Sequence, residues 1–205
     1  MCEPANSVTT RATETDLNAK VDPSAMVEQS AMTDLWVFAY GSLMWRPGFD
    51  FADCIPAILK GRHRALCIYS HVHRGTREQP GLVLGLDRGG ACKGLAYRVT
   101  AADTAPTLAY LRARELVTHV YRERVLAVSL ANGQNVNALT YVVDTRHPQY
   151  AKGLTQAATM EHIRNGRGIS GDNADYVIQT HTRLQLLGVR DARLAAIVTA
   201  LTEPA

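Results

Sequence analysis

The chain has 205 residues, of which 46% are hydrophobic and 20% are charged, and its formal net charge is +3. This length and composition are typical of one compact domain, and they exclude a wholly disordered chain. No apolar run reaches the roughly 18–20 residues that a membrane span needs, so no span is expected. The basic residues are scattered rather than gathered in a stripe, so nucleic acid is not the expected ligand.

Residues 1–34 are expected to form a poorly ordered leader before a single domain at residues 35–205. The leader contains no aromatic residue and no apolar run of the kind that a secretory signal peptide needs. The four cysteines match no zinc-binding spacing, and Cys67 and Cys92 lie in or beside apolar segments, so we expect reduced, buried thiols. A cytoplasmic location is therefore expected.

Seven short strands are predicted in the first two thirds of the chain. The first covers residues 35–40, is aromatic and β-branched, and ends at Gly41 and Ser42. The other strand-like runs are residues 57–60, 65–71, 82–86, 93–99, 124–130 and 136–143. Turn-forming residues at 87–90 and 131–133 predict two hairpins.

Four helices are predicted, the first between the strands and the others at the end of the chain. The first has Thr104 as its N-cap, the second covers residues 155–165, the third opens after residue 172 and ends at Gly188, and the fourth includes Leu194. Segregated strands and helices favour an α+β fold. The many short strands favour a small, mostly antiparallel barrel or a strongly curled sheet.

Two features of the sequence could carry chemistry, and the first is the end of the opening strand. A strand that ends in Gly41 and Ser42 can expose successive backbone N–H groups, and such a nest binds a carboxylate or a developing oxyanion. An ordinary strand-to-loop turn explains the same residues, because Gly-Ser is a common turn pair.

The second feature is Glu115. It follows Leu108 and Leu111 at helical spacing, so it shares their inward, apolar face. Burial raises the pKa of a carboxyl group, which suits a general base that works near neutral pH. The alternative is a helix-end glutamate with a salt-bridged or solvated head, although Arg112 and Arg114 are expected to point around the helix rather than along this face.

The histidines give little support for a metal site. His71 and His73 alternate along one strand and could place two imidazoles on one side, but no third ligand has a matching spacing. No metal is therefore expected. Most arginines are expected to be solvated surface charges.

Several blocks of this sequence resemble one known family. The run Trp-Val-Phe-Ala-Tyr-Gly-Ser-Leu-Met-Trp at residues 36–45 is similar to the opening of the ChaC-type γ-glutamylcyclotransferases. Further similar blocks follow in the same order, at residues 74–86, 92–98, 111–121, 148–150 and 170–176. The resemblance covers about residues 35–190, and the block at 111–121 contains the pair Arg114 and Glu115, which resembles the family's Arg-Glu pair.

The resemblance implies a γ-glutamylcyclotransferase-like barrel with flanking helices that cleaves glutathione to 5-oxoproline and Cys-Gly. It implies Glu115 as the catalytic acid and base, a small-molecule substrate and no cofactor; a monomer or weak dimer is expected. The residues expected to bind the substrate are Val37, Phe38, Ala39, Tyr40, Gly41, Ser42, Leu43, Tyr121 and Tyr150. Two alternatives stay open, namely cyclotransfer on other γ-glutamyl amines or amides, and a non-catalytic γ-glutamyl-binding regulatory module.

Overall fold

The computed structural model describes residues 33–203. The predicted leader therefore lies outside the described residues, apart from its last two. One of these, Asp34, accepts hydrogen bonds from the Arg98 guanidinium at 2.5 Å and from the Ala101 amide at 3.1 Å. These contacts attach the end of the predicted leader to the folded domain. Within residues 33–203, no helix has both the length and the apolar character needed to cross a membrane.

Five strands form a closed barrel in the spatial order β1-β3-β2-β4-β5. Their bounds are Leu35–Ala39 (β1), Asp53–Ser70 (β2), Gly81–Val99 (β3), Tyr121–Leu130 (β4) and Asn135–Val143 (β5). Neighbouring strands are antiparallel except for β1 and β5, whose parallel pairing closes the barrel. The predicted α+β class with a small, mostly antiparallel barrel is confirmed.

The number of strands was predicted wrongly, because β2 and β3 are each one long strand where the sequence indicated two short ones. The hairpin predicted at residues 87–90 does not form, since β3 continues through Gly89 and Gly90 with φ angles of 89° and 68°. The opposite strand adapts at Gly61, with φ at 78°, where the register shifts. The glycines thus accommodate an irregularity within a continuous pair of strands rather than a chain reversal. The second predicted hairpin, at residues 131–133, joins β4 and β5 as expected.

All four predicted helices are present. Their bounds are Thr104–Glu115 (α1), Gln156–Asn165 (α2), Asn173–Leu186 (α3) and Ala192–Thr202 (α4), and a two-stranded ribbon of Arg167–Gly168 (β6) and Gly171–Asp172 (β7) precedes α3. The predicted N-cap of α1 was wrong by one residue. Thr104 is already helical, its hydroxyl donates to the Thr100 carbonyl at 3.1 Å, and Asp103 occupies the cap position.

The core fills the barrel and the seam between the barrel and the helices. Leu108 and Leu111 face this core from α1, with 9% and 0% of their surface exposed. Cys67 and Cys92 are buried free thiols, as predicted. The fully buried Asn173 joins α3 to the barrel, because its side chain accepts from the Leu82 amide at 2.6 Å and donates to the Leu82 carbonyl at 2.7 Å.

Asn173→Ala should therefore lower the free energy of unfolding by about 2–4 kcal/mol, because it leaves two buried backbone groups without partners. Equilibrium urea unfolding measures this change. Asn137→Ala is the matched control, since Asn137 is exposed on β5 and should change stability by less than about 0.5 kcal/mol. Equal effects of the two substitutions would contradict the anchoring role of Asn173.

Candidate active site

A cavity of about 300 Å³ opens where the end of α1 meets one end of the barrel. Its walls come from the turn after β1, the end of β2 with the segment that follows it, the end of α1, and the start of β4; α3 adds Tyr176. The volume is at the lower end of the roughly 300–1,000 Å³ that small-molecule sites occupy. Three of the predicted site residues line it, namely Ser42, Glu115 and Tyr121.

Glu115 is the last residue of α1 and, within residues 33–203, the only acidic residue that lines the cavity. Its side chain is 16% exposed, so the carboxyl group is largely withdrawn from water. Burial raises the pKa of Glu115 above its ordinary value, and the charge and hydrogen bond of Arg114 offset part of this rise. A carboxylate with a raised pKa at a cavity wall is suited to accept and return a proton.

Arg114 was not predicted as a site residue, yet it connects the parts of this site. Its Nε lies 3.2 Å from Glu115 Oε1, and its side chain is only 18% exposed. The other guanidinium nitrogens donate to Ser42 Oγ at 2.8 Å, to the Arg46 carbonyl at 2.8 Å and to the Tyr110 hydroxyl at 2.7 Å. The expectation that Arg114 points around the helix, away from the face of Glu115, is wrong, and Arg114 is an exception to the expectation that most arginines are solvated surface charges.

The turn after β1 presents backbone donors near this cavity. Ser42–Met44 forms one turn of 3₁₀ helix, in which the Met44 amide donates to the Gly41 carbonyl at 2.9 Å. The amides of Ser42 and Leu43 begin this turn and therefore have no carbonyl acceptor within it. A Cβ on Gly41 would lie 3.4 Å from the Tyr176 hydroxyl, so the turn packs directly against the cavity wall. This geometry suits the predicted anion-binding nest, which stays a prediction.

The remaining predicted residues of the opening strand do not present side chains to the cavity. Val37, Phe38 and Ala39 have at most 1% of their surface exposed and belong to the barrel core. Leu43 is also buried, and the Tyr40 hydroxyl points to the Tyr141 carbonyl at 2.9 Å. The side chains of this strand thus support the turn from within the barrel.

Two tyrosines form a neutral wall beside Glu115. The Tyr121 hydroxyl donates to the Leu84 carbonyl at 2.6 Å, and the Tyr176 hydroxyl accepts from the Leu84 amide at 3.0 Å. Burial raises the pKa of both phenols, with the nearby Glu115 charge adding to the effect, so they stay protonated. Tyr176 was not predicted as a site residue, although it ends the last of the sequence blocks noted above.

Tyr150 is placed apart from Glu115. It lines a second cavity of about 570 Å³ and donates to the Asp87 carboxylate at 2.6 Å, which raises the pKa of Tyr150 to about 12. The structure thus does not bring Tyr150 to the cavity that contains Glu115, and its position gives no support to the expected role in substrate binding.

Both histidines of the suggested metal pair line the first cavity. Nδ1 of His73 shares a hydrogen bond with Ser170 Oγ at 3.0 Å, and burial lowers the pKa of His73 and of His71, which favours the neutral imidazoles. Among residues 33–203, no three His, Cys, Asp or Glu side chains are grouped as metal ligands would be. The suggested pair therefore has no third protein ligand in the part of the chain that the structure describes.

Comparison with known proteins identifies relatives over most of the chain. The chain is 36% identical over 157 residues to the glutathione-specific γ-glutamylcyclotransferase of Escherichia coli, which covers 77% of this chain and 68% of that protein. It is 35% identical over 173 residues to human glutathione-specific γ-glutamylcyclotransferase 1, which covers 82% and 78% of the two chains.

The fold is also shared with a solved structure. A yeast γ-glutamyl cyclotransferase specific to glutathione superposes with a TM-score of 0.75 at 20% sequence identity, over 82% of this chain and 95% of that one. At this level of identity the likeness concerns the fold alone. Residues 35–203 match the family model described as ChaC-like protein, and this chain is accordingly a member of the ChaC-like family.

Proposed function

We propose that this protein is a γ-glutamylcyclotransferase that converts glutathione to 5-oxoproline and Cys-Gly. The names of its relatives support this reaction class. The structural observation that carries the proposal is the carboxyl group of Glu115, which is largely buried at the wall of a small cavity and faces it beside the Ser42 turn. A base next to backbone donors is what an intramolecular aminolysis needs.

The first step of the proposed reaction is removal of a proton from the substrate. The α-amino group of the γ-glutamyl unit is protonated near neutral pH and cannot attack in that form. Glu115 accepts this proton, and its raised pKa makes it a stronger base than an exposed glutamate. The backbone donors at Ser42 and Leu43 are assigned to the α-carboxylate of the same unit.

The second step closes the ring. The free amine attacks the γ-carbonyl carbon, and the developing oxyanion is stabilised by hydrogen-bond donors. The protonated Glu115 returns its proton to the cysteinyl nitrogen as the C–N bond breaks. The ring nitrogen passes its second proton to the Glu115 carboxylate and from there to the released amine, so 5-oxoproline and the ammonium form of Cys-Gly leave and Glu115 is ionised again. No water is consumed, and the chemistry calls for a base and donors rather than a metal ion or a nucleotide. Holding the substrate in a curled conformation contributes the entropic part of the rate enhancement.

Arg114 is proposed as the positioning residue for Glu115. Its guanidinium contacts the catalytic carboxylate on one side and the Ser42 hydroxyl on the other. The spacing between the base and the backbone donors is therefore set by one rigid, planar group. Its positive charge also limits how far burial raises the pKa of Glu115.

The purified protein should release 5-oxoproline and Cys-Gly from glutathione, and EDTA should leave the rate unchanged because no step uses a metal. Liquid chromatography with mass detection measures both products, and γ-glutamyl-alanine serves as the comparison substrate. Faster release from γ-glutamyl-alanine would favour cyclotransfer on other γ-glutamyl compounds. Binding of glutathione without any product would indicate a regulatory module. Loss of activity in EDTA with rescue by zinc would contradict the metal-free mechanism and indicate His71 and His73 as metal ligands.

Glu115→Gln should reduce kcat by about 10²–10⁴-fold, because it keeps the shape of the side chain and removes its ability to accept a proton. Stability at pH 7 should hold or rise. A carboxyl group whose pKa is raised by folding destabilises the fold once it is ionised, and this effect disappears as the pH falls below its unfolded pKa. Steady-state kinetics and urea unfolding test the two effects, with exposed Glu161→Gln as the matched control. Normal turnover would exclude Glu115 as the base.

The acid limb of the pH–rate profile should report the ionisation of Glu115. Turnover should fall as the pH drops through its raised pKa, because only the carboxylate accepts the proton. Since Arg114 lowers this pKa, Arg114→Gln should move the acid limb to higher pH and also reduce kcat. The matched control is Arg112→Gln, which removes from the same helix an exposed arginine that pairs with Glu123. This substitution should leave the acid limb at the same pH. A limb that does not move in Arg114→Gln would contradict the electrostatic role of Arg114.

A further inference from the structure

The cavity carries more positive charge than the proposed chemistry uses. Among the residues that the structure describes, three arginines line it, namely Arg46, Arg74 and Arg114, whereas Glu115 is the only acidic lining residue. Arg114 forms the ion pair with Glu115. Among the ion pairs formed within residues 33–203, none includes Arg46 or Arg74. Two guanidinium groups are thus left to attract an anion into the cavity.

The Arg74 side chain is held by two contacts. One of its nitrogens, Nη1, donates to the Asp172 carbonyl at 3.1 Å, and its guanidinium carbon lies 5.5 Å from the centre of the Tyr176 ring. These contacts hold the guanidinium between the β6–β7 ribbon and the aromatic wall of the cavity. A guanidinium has five N–H donors, so most of them stay available for a ligand.

No carboxylate among residues 33–203 forms an ion pair with Arg74 within 4.0 Å. Asp172 pairs through its carboxylate with Arg167 at 3.3 Å, and Asp175 is exposed and forms no ion pair within 4.0 Å among the described residues. Burial is the main cause that lowers the pKa of Arg74, the charge of Arg46 adds to it, and Tyr176, Asp175 and Asp172 offset part of the shift. A bound carboxylate would relieve both the loss of hydration and the repulsion between the two arginines.

We propose that Arg74, assisted by Arg46, binds the glycine carboxylate of glutathione and makes the site selective for γ-glutamyl peptides that have a free C-terminal carboxylate. This inference rests on the proposed function, and it names the side chain that binds the glycine end of the substrate. A guanidinium binds a carboxylate through two parallel hydrogen bonds, which suits this role better than a point charge.

The chemistry of glutathione decides which of its two carboxylates Arg74 receives. The α-carboxylate and the reacting α-amine sit on the same carbon atom, so the α-carboxylate must stay beside Glu115 and the Ser42 turn. Arg74 is anchored to the β6–β7 ribbon through the Asp172 carbonyl and packs on the Tyr176 ring, and Glu115 forms its ion pair with Arg114 rather than with Arg74. The glycine end of the peptide is the part that can extend to Arg74.

Calorimetric binding in the Glu115→Gln background separates this inference from turnover. The two ligands are glutathione and its glycine ethyl ester, in which a neutral ester with an added ethyl group replaces the carboxylate at the glycine end. The Glu115→Gln protein should bind glutathione about 10–100-fold more tightly than the ester, as expected for a charge-assisted hydrogen-bonded pair. Adding Arg74→Gln should remove this difference by weakening glutathione alone, and unchanged binding of the ester shows that the cavity is intact.

Arg77→Gln is the matched control, because Arg77 is an exposed arginine of the same segment that does not line the cavity. It should leave the preference for glutathione unchanged. Equal weakening of both ligands by Arg74→Gln would overturn the inference, as would an unchanged preference or a lack of glutathione binding in every variant. A wild-type protein that shows the preference yet releases no 5-oxoproline would refute the proposed function and leave the carboxylate site standing.

Discussion

The guanidinium of Arg114 is the contact on which the geometry of the candidate active site depends. It joins the end of α1 to the turn after β1 through Ser42 and the Arg46 carbonyl, and it pairs with the neighbouring Glu115. Glu115 lies on α1 and the backbone donors lie on the Ser42 turn. Without the hydrogen bonds of Arg114, this side chain would not hold the two elements at a fixed distance from each other. A planar group with five fixed donors can hold such an arrangement, whereas a flexible ammonium cannot.

The barrel supplies the rigid frame on which this link is built. Parallel pairing of β1 with β5 closes the barrel and fixes the point at which the chain leaves β1 and enters the Ser42 turn. Leu108 and Leu111 seat α1 on the core, which brings the end of the helix to the same place. Helix α3 completes the wall, because Asn173 attaches it to β3 and thereby sets the position of Tyr176.

The composition of the wall explains why a single carboxylate can act as a base there. Tyr121 and Tyr176 direct their hydroxyl groups to the backbone of Leu84, so their polar atoms are satisfied and uncharged. Glu115 is therefore surrounded by neutral groups and by one cation, and the balance between burial and Arg114 sets its pKa. The pKa that the proposed proton transfer needs therefore depends on how the protein packs around Glu115.

Local patterns in the sequence were sufficient for the existence of the helices and for the inward position of Glu115 on α1, because periodicity and glycine stops are properties of neighbouring residues. They failed at residues 87–90, where the long partner strand β2 keeps β3 extended through two glycines that resemble a hairpin turn. They also missed Arg114 and Tyr176 as site residues, whose partners Ser42 and Leu84 lie 72 and 92 positions away. These contacts form only when the barrel closes and the helices pack against it, so a short segment of sequence carries no signal for them.

A crystal structure of the Glu115→Gln protein with bound glutathione would test the assignment of Glu115 as the base. The γ-glutamyl α-amino nitrogen should lie about 2.6–3.2 Å from the side-chain oxygen at position 115, which is the distance that proton transfer requires. The γ-carbonyl carbon should lie about 3–3.5 Å from the same nitrogen, in position for ring closure. A substrate whose amine points away from position 115, with another side chain within hydrogen-bond distance of it, would contradict the assignment of Glu115 as the base.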